Sequence, residues 1–150
     1  ALIHESLYKK DTLSQVEMSS YIKDMLSQIE YSFSNIGYIN FIFDLDVVYL
    51  DITKAVPCGI IINELITNAV KHAFSGIEDK QLTIGLKESK NVIDISVNDN
   101  GCGLPKDFDI AKSSSLGMSL VKILSEQIDA EVLIEHDEGT SITIEFPIED

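Results

Sequence analysis

NELITNAVKHAF, Asn63 to Phe74, and DNGCGLP, Asp99 to Pro105, are the two stretches of the sequence that decide the fold. In the first, Glu64 and Asn68 are four residues apart and Lys71 follows three residues later, so a helix would place their side chains on one face. The apolar residues between them would then point toward a core: Leu65, Ile66, Ala69 and Ala73. The pattern predicts an amphipathic helix that presents a carboxylate, an amide and an ammonium side by side.

These three groups suit the chemistry of a bound phosphate ester. The amide oxygen of Asn68 can complete the oxygen shell of a magnesium ion, and the carboxylate of Glu64 can orient or deprotonate a nucleophile. The ammonium of Lys71 can meet phosphate oxygens. Together with the glycine-rich turn that begins at Asp99, the helix predicts a nucleotide site.

Length and charge limit the classes of protein to consider. The chain has 150 residues, of which 45% are hydrophobic, enough for one self-sufficient core. Its formal net charge of −14 disfavours nucleic acid and anionic membrane surfaces as partners. A polyanionic ligand would need magnesium and local cations. Lys71 is one candidate, and for three others a binding or a simply solvated role is open: Lys106, Lys112 and Lys122.

The cysteines and the hydropathy pattern exclude several other classes. Cys58 and Cys102 lack the spacing of a zinc site or a disulfide framework, so we expect two buried free thiols. No run approaches the roughly 18 apolar residues of a membrane span, and the start does not resemble a signal peptide. We therefore expect a cytoplasmic piece of a longer protein, because Ala1 already lies inside an amphipathic pattern.

The first half of the sequence indicates two long helices with strands between them. Apolar residues recur at helical spacing from Val16 to Phe33, which predicts an amphipathic helix. Between Ile39 and Ile52, apolar and polar residues first alternate, and a second apolar stretch follows. This is the pattern of a strand pair or of a strand and a turn. Pro57 is expected in the first turn of the next helix, which should run to about Phe74.

The second half of the sequence indicates two hairpins separated by a helix. Strands are predicted at Leu82–Leu86 and Ile93–Val97, a helix at Gly117–Ile128, and final strands at Glu131–Glu135 and Ser141–Phe146. Such a series predicts an α+β fold, a two-layer sandwich of a mixed, mostly antiparallel sheet with helices on one face.

The motifs in this order resemble a known ATP-binding fold. An ExxxN helix, a strand ending in DxGxG, a polar loop and a glycine that opens a helix are shared by histidine kinases, type II topoisomerase ATPase domains, Hsp90 chaperones and MutL proteins. The resemblance covers roughly Val16 to the C-terminus. SLGMSLV, Ser115 to Val121, and EGTSITIEFP, Glu138 to Pro147, are most similar to the corresponding boxes of sensor histidine kinases.

The resemblance implies ATP and magnesium as ligands and gives individual residues a role. Asp99 would accept a hydrogen bond from the exocyclic amine of adenine, and Gly101 and Gly103 would let the backbone approach the base. Asn68 would coordinate magnesium, while Glu64 would position or activate the attacking group. The remaining residues implied to contact the nucleotide are Asn63, Lys71, His72, Leu116, Gly117 and Thr140. The loop from Leu104 to Leu116, with Phe108, resembles an ATP lid.

The N-terminal segment resembles the end of a dimerisation domain. ALIHESLYKKDT is similar to the segment that closes this domain in kinases whose phosphoacceptor box resembles HRxKNN. On this reading residues 1–14 are a stub and residues 15–150 are the catalytic ATP-binding domain. The implied partners are a phosphoacceptor hairpin of the same or a second chain, in a homodimer, and the receiver domain of a response regulator. A rival assignment makes His4 itself the phosphoacceptor.

Two alternatives of the same fold remain open, and two other kinds of site are disfavoured. The chain could be an anti-sigma-type kinase that phosphorylates serine, or a module that binds nucleotide only for docking. The sequence has no GxxxxGK[ST], and GCGLPK lacks the third glycine of GxGxxG. An EF-hand match near Asp107 has the wrong first and last ligands.

Overall fold

The computed structural model describes residues 15–33, 37–102, 116–136 and 138–148. Its elements in chain order are β1 (Gln15–Glu17), α1 (Met18–Ser32), β2 (Asn40–Leu45), β3 (Tyr49–Asp51), α2 (Ile52–His72), β4 (Gln81–Ser89), β5 (Val92–Asp99), α3 (Leu116–Gln127), β6 (Glu131–His136) and β7 (Thr140–Pro147). None of the described helices combines the length and the apolar character that crossing a membrane requires.

The main sheet has five strands in the order β2-β4-β5-β7-β6, in which β2 and β4 are parallel and all other pairs are antiparallel. The predicted α+β fold with a mixed, mostly antiparallel sheet is confirmed. The hairpin between β4 and β5 turns at Lys90 and Asn91, whose φ angles of 52° and 65° match a two-residue turn with left-handed residues.

Alternation along the strands gives the sheet one apolar and one polar face. The inward side chains of β4, β5 and β7 are buried: Leu82, Ile84, Leu86, Ile93, Ile95, Val97, Ile142, Ile144 and Phe146. They pack with the buried residues of α1 and α2 in a single core, so the helices cover the apolar face. The helix α1 lies close to α2 at Gly59, where an added Cβ atom would be 2.2 Å from the Tyr21 hydroxyl oxygen.

The start of α1 differs from the prediction. The apolar pattern from Val16 predicts helix, but Gln15–Glu17 forms β1 and pairs with β3 in a separate two-stranded sheet. The helix begins only at Met18, because the Glu17 carboxylate accepts hydrogen bonds from the backbone amides of Ser19 and Ser20 and so caps the helix.

The start of α2 also differs, by five residues. Asp51 caps the helix by accepting a hydrogen bond from the Thr53 amide at 3.0 Å. The prediction that Pro57 lies in the first turn is wrong, because Pro57 is buried inside the helix. The cap at Asp51 outweighs the usual preference of proline for a helix start.

The strands between the two helices do not pair with each other. β2 pairs with β4, about forty residues later in the chain, while β3 pairs with β1. Of the two alternatives predicted for residues 39–52, a pair of strands bonded to each other is therefore wrong, since both strands find partners elsewhere in the chain. This arrangement places β2 at an outer edge of the main sheet.

Candidate functional site

Asp99, the last residue of β5, lies in the sheet beside Thr140 of β7. Its Oδ1 atom accepts hydrogen bonds from the backbone amides of Gly101 at 2.9 Å and Thr140 at 3.4 Å. Burial raises the pKa of the Asp99 carboxyl, and the two amides and the nearby His136 act in the opposite direction. These bonds occupy one carboxylate oxygen, which leaves Oδ2 as the acceptor that a ligand can use.

Two glycines make room for the backbone around Asp99. A Cβ atom on Gly101 would lie 1.9 Å from the carbonyl oxygen of Ala73, at the end of α2. Gly139, with a φ of +128°, would place a Cβ atom 2.1 Å from the carbonyl oxygen of Asp99. The chain then crosses the end of α2, where the Cys102 amide donates to the Ala73 carbonyl at 2.8 Å.

A narrow slot runs inward from Asp99 between the sheet and α2. It is lined by Leu65, Asn68, Ala69, His72, Ala73, Val97, Asp99, Thr140 and Ile142. Its volume is about 10 Å³, which is room for about one water molecule. A purine therefore enters only if the lining side chains move outward.

A second slot, of about 140 Å³, adjoins the first and is more polar. It is lined by Glu64, Thr67, Asn68, Lys71, His72, Gly117 and Met118. Asn68 and His72 line both slots, so the two form one continuous site across α2. The start of α3 approaches α2 here, and a Cβ atom on Gly117 would be 2.5 Å from the Glu64 carboxylate.

The second slot has the groups that a phosphate chain requires. The first amides of α3 are those of a helix N-terminus, which favours anions. The ammonium of Lys71 is exposed and lies 5.9 Å from the centre of the Phe33 ring. Among the described side chains that line this slot, Glu64 supplies the one carboxylate and Asn68 the one amide oxygen.

The oxygen donors of this slot fit a magnesium ion that brings most of its own ligands. Within residues 15–33, 37–102, 116–136 and 138–148, no three His, Cys, Asp or Glu side chains form a cluster that could hold a metal. Magnesium keeps several waters and typically takes one or two protein ligands together with substrate phosphates. The Asn68 amide, with Glu64 beside it, is a donor set of that kind.

Most of the predicted site residues that the structure describes come together, but not all. Glu64, Asn68, Lys71, His72 and Gly117 line the second slot, and Asp99 and Thr140 line the first. Three others line neither slot: Gly101 lies in the turn after Asp99, Leu116 is 78% exposed at the start of α3, and Asn63 faces a separate groove beside Tyr21 and Asp24 of α1. Lys122 is exposed and also lines neither slot.

Several predictions fall on residues outside the described ranges. These are Gly103, Lys106, Phe108 and Lys112 of the polar loop, and His4 with the rest of residues 1–14. For the cysteines, Cys58 is buried as expected, and burial raises the pKa of its thiol to about 12. The expectation for Cys102 is wrong, because it is exposed on the turn that crosses the end of α2.

The sequence interpretation missed two residues beside Asp99. The hairpin pattern predicts a turn between the last two strands, but the neighbours of Gly139 in sequence do not indicate its long-range contact with Asp99. His136 lies opposite Thr140 in the pairing of β6 with β7, and its Nδ1 is 3.5 Å from the Thr140 hydroxyl. The signal available in the sequence was the turn that joins these two strands.

Comparison with known proteins identifies the same region. The family model described as histidine kinase-, DNA gyrase B- and HSP90-like ATPase matches residues 53–150. The sensor histidine kinase PdtaS of Mycobacterium tuberculosis is 34% identical over 114 residues, covering 73% of this chain and 22% of PdtaS. The serine-protein kinase RsbW of Listeria innocua is 28% identical over 99 residues, covering 57% of this chain and 60% of RsbW.

A solved structure agrees with the fold over most of the chain. The histidine kinase domain of a blue-light-activated histidine kinase from Erythrobacter litoralis superposes with a TM-score of 0.81 at 25% identity. The superposition covers 89% of this chain and 62% of that domain. The chain itself spans about a fifth of the length of PdtaS.

Proposed function

The chain belongs to the family of histidine kinase-, DNA gyrase B- and HSP90-like ATPases, and from this premise we propose that it is the catalytic ATP-binding part of a sensor histidine kinase. The observation that carries the proposal is the continuous site across α2. Asp99 lies at one end of this site, and Glu64, Asn68 and Gly117 lie at the other. In a protein-binding module that does not bind nucleotide, this polar arrangement would have no function.

Adenine recognition is assigned to Asp99. The free Oδ2 atom would accept a hydrogen bond from the exocyclic amine of adenine, with Thr140 beneath the base. Guanine presents a carbonyl oxygen at that position, and two acceptors would then face each other without a proton. The site should therefore select ATP over GTP.

Phosphate binding is assigned to the second slot. Lys71 and the first amides of α3 at Gly117 would meet phosphate oxygens, and His72 lies where the two slots join. The Asn68 amide would complete the oxygen shell of magnesium, which neutralises charge on the phosphates when bound. Leu116, Gly101 and Gly103 retain their proposed roles near the nucleotide, whereas the described surroundings of Asn63 offer it no such contact.

Phosphoryl transfer is assigned to positioning more than to covalent chemistry by the protein. Glu64 lies in the phosphate slot, where it would orient the imidazole of a histidine presented by a dimerisation hairpin. The unprotonated imidazole nitrogen would form a bond to the γ-phosphorus as the bond from that phosphorus to ADP breaks, and the proton on the other ring nitrogen would then pass to water. The phosphohistidine would then pass its phosphoryl group to an aspartate of a response regulator.

The whole protein is proposed to be a homodimer that works in the cytoplasm. The dimerisation hairpin would be that of the same or a second chain, and residues 1–14 would be the end of that hairpin. Neither nucleic acid nor membrane lipid is proposed as a direct partner of this part of the chain, whose net charge is −14.

A serine kinase is the second candidate, because RsbW is also similar to the chain. Radiolabelled ATP, magnesium and the dimerisation hairpin of the same protein distinguish the two. A histidine kinase gives a phosphoprotein that is labile to acid and stable to base. Acid-stable phosphoserine would favour the second candidate, and nucleotide binding without any transfer would favour a docking module.

A further inference from the structure

The outer edge of β2 is an open edge of the main sheet. β2 pairs with β4 on one side only, and no other described strand lies against its second side. The backbone amides at both ends of the pairing point toward β4, with Asn40 donating to Lys80 at 2.9 Å and Asp46 donating to Leu86 at 2.8 Å. Since backbone groups alternate along a strand, the N–H and C=O groups of Phe41, Phe43 and Leu45 point toward the open edge.

Apart from the charge of Asp44, the described part of this edge lacks the usual devices that prevent a further strand from pairing. β2 has six residues, contains no proline, and keeps a continuous register with β4 without a bulge. Edges that must stay unpaired are commonly short, bulged or interrupted by proline. Ile42 and Phe43 are each 39% exposed, so the edge also exposes apolar side chains.

An apolar groove lies directly beside this edge. Its volume is about 350 Å³, and it separates β2 from the C-terminal part of α1 and from α2. Ile29 and Phe33 of α1, Phe41 and Phe43 of β2, and Val70 of α2 contribute to its lining. Tyr38, which also lines the groove, is 82% exposed. A strand that paired with β2 would place every second side chain in this groove.

The charge around the edge favours a basic partner over a second copy of the chain. Glu30, Asp44 and Asp46 surround the groove and the edge, and Lys87 lies 2.5 Å from Asp44 and 3.6 Å from Asp46. Of the other described cations near the edge, Lys71 lies over the Phe33 ring, and Lys80 adjoins Asn40 at the start of β2. With a net charge of −14, two copies repel each other, whereas a basic segment is attracted.

We propose that the open edge of β2 and its groove form a docking site for an extended segment of a partner protein that alternates apolar and basic side chains. The segment adds a sixth strand to the five-stranded sheet. Its apolar side chains occupy the groove, and its basic side chains lie over Asp44 and Asp46. This site is separate from the nucleotide site and does not depend on the assignment of that site.

The probe for the test is a short, acetylated and amidated peptide of alternating lysine and valine, titrated into the whole chain. Hydrogen exchange followed by NMR gives the readout. We expect saturable binding that slows exchange of the Phe41, Phe43 and Leu45 amides, with little change at Ile42 and Asp44, whose amides face β4. A peptide of alternating glutamate and valine should bind at least about tenfold more weakly.

Variants separate strand addition from simple charge attraction. Phe43→Pro removes an amide that faces the open edge, and Phe43→Val removes the ring but keeps that amide. We expect about tenfold weaker binding for Phe43→Pro than for Phe43→Val. Tyr38→Ser should also weaken binding, while the matched control Tyr31→Ser, at a residue that is 86% exposed and does not line the groove, should not.

Three results would overturn the proposal. Equal binding to the Phe43→Pro and Phe43→Val variants, with Tyr38→Ser also unchanged, would show attraction by charge alone. If the three edge amides of the free chain are protected from exchange, and this protection increases with protein concentration, the occupant is a second copy. The same slow exchange at every concentration, lost on deletion of residues 1–14, would make the occupant the chain's own N-terminal segment.

Discussion

Gly101 passes so close to Ala73 that a Cβ atom on Gly101 would lie 1.9 Å from the Ala73 carbonyl oxygen. The same carbonyl accepts the Cys102 amide at 2.8 Å, so the turn after Asp99 is fixed to the end of α2. This contact couples the shape of the first slot to the packing of the helix that carries Glu64 and Asn68.

Gly101→Ala should therefore weaken both folding and nucleotide binding. The backbone has to move away from Ala73, and overpacking of this kind lowers the free energy of unfolding by roughly 1–3 kcal/mol. Thermal unfolding followed by circular dichroism, with nucleotide titration of the folded variant, measures the two effects. Gly76→Ala is the control for a loss of stability alone: a φ of +78° is strained for alanine, but a Cβ atom there meets nothing within 4 Å, so the folded variant should keep normal nucleotide affinity. Normal nucleotide affinity in folded Gly101→Ala would contradict the coupling.

Lys71→Gln should weaken ATP binding and leave adenosine binding unchanged. Lys71 lines the second slot and is exposed, and an exposed charge contact contributes up to about 1 kcal/mol. We expect a loss of roughly three- to fivefold in ATP affinity by fluorescence titration. Lys122→Gln, on the exposed side of α3, is the control for net charge. An equal loss of adenosine affinity would exclude a role confined to phosphate.

Glu145→Gln should stabilise the fold at neutral pH. Asp94, opposite Glu145 in the sheet, raises the pKa of the Glu145 carboxyl through a hydrogen bond and then through charge repulsion, to which Glu131 adds. Glu131, Glu145, Asp94 and Lys87 lie opposite one another on four neighbouring strands, and Lys87 is the cation among them. A raised folded-state pKa means that ionisation opposes folding, so stability recovers as pH falls through that pKa toward 4.5.

Melting temperatures measured between about pH 4 and pH 8 test the direction of this pH dependence. The Glu145→Gln variant should melt higher than the wild type near pH 7, and the difference should shrink as the pH falls. Glu135→Gln, at a position opposite Ser141, is the matched control. A lower melting temperature of Glu145→Gln at pH 7 would contradict the repulsion.

The two cysteines should differ strongly in reactivity. Cys102 is exposed, whereas burial of Cys58 raises the pKa of its thiol to about 12 and removes the reactive thiolate. A maleimide reagent should modify one thiol of the folded chain rapidly and the second only on unfolding. In Cys102→Ser the rapid reaction should disappear. Rapid modification that persists in this variant would mean that Cys58 is accessible.

The sequence patterns predicted those elements whose partners are close in the chain. The helix around Glu64 and the hairpin of β4 and β5 have a clear period and a clear turn. The end of the helix was predicted to within two residues, and the bounds of the two strands to within three. The sequence pattern does not show which distant strands pair. β2 pairs with β4 and β1 pairs with β3, in each case with other elements between them in the chain. The early start of α2 was also missed, since Pro57 is a stronger local signal than the cap at Asp51.

The site was predictable to the same extent. Glu64, Asn68 and Asp99 follow from local motifs and come together in the structure. The approach of Gly139 to Asp99 depends on the packing of two turns that are far apart in sequence, and no local pattern indicates it. The groove that Asn63 lines is set by the packing of α1 on α2, which the helix period alone does not specify.

Calorimetric titration with an unhydrolysable ATP analogue and magnesium tests the central claim most directly. The wild type is compared with Asp99→Asn, with a GTP analogue, and with Asp94→Asn, the same substitution on the opposite face of β5. We predict that the wild type and Asp94→Asn bind the ATP analogue, that Asp99→Asn binds it weakly or not at all, and that the GTP analogue does not bind. Equal binding of both analogues, or full affinity in Asp99→Asn, would contradict the assignment of Asp99 as the adenine-recognising carboxylate.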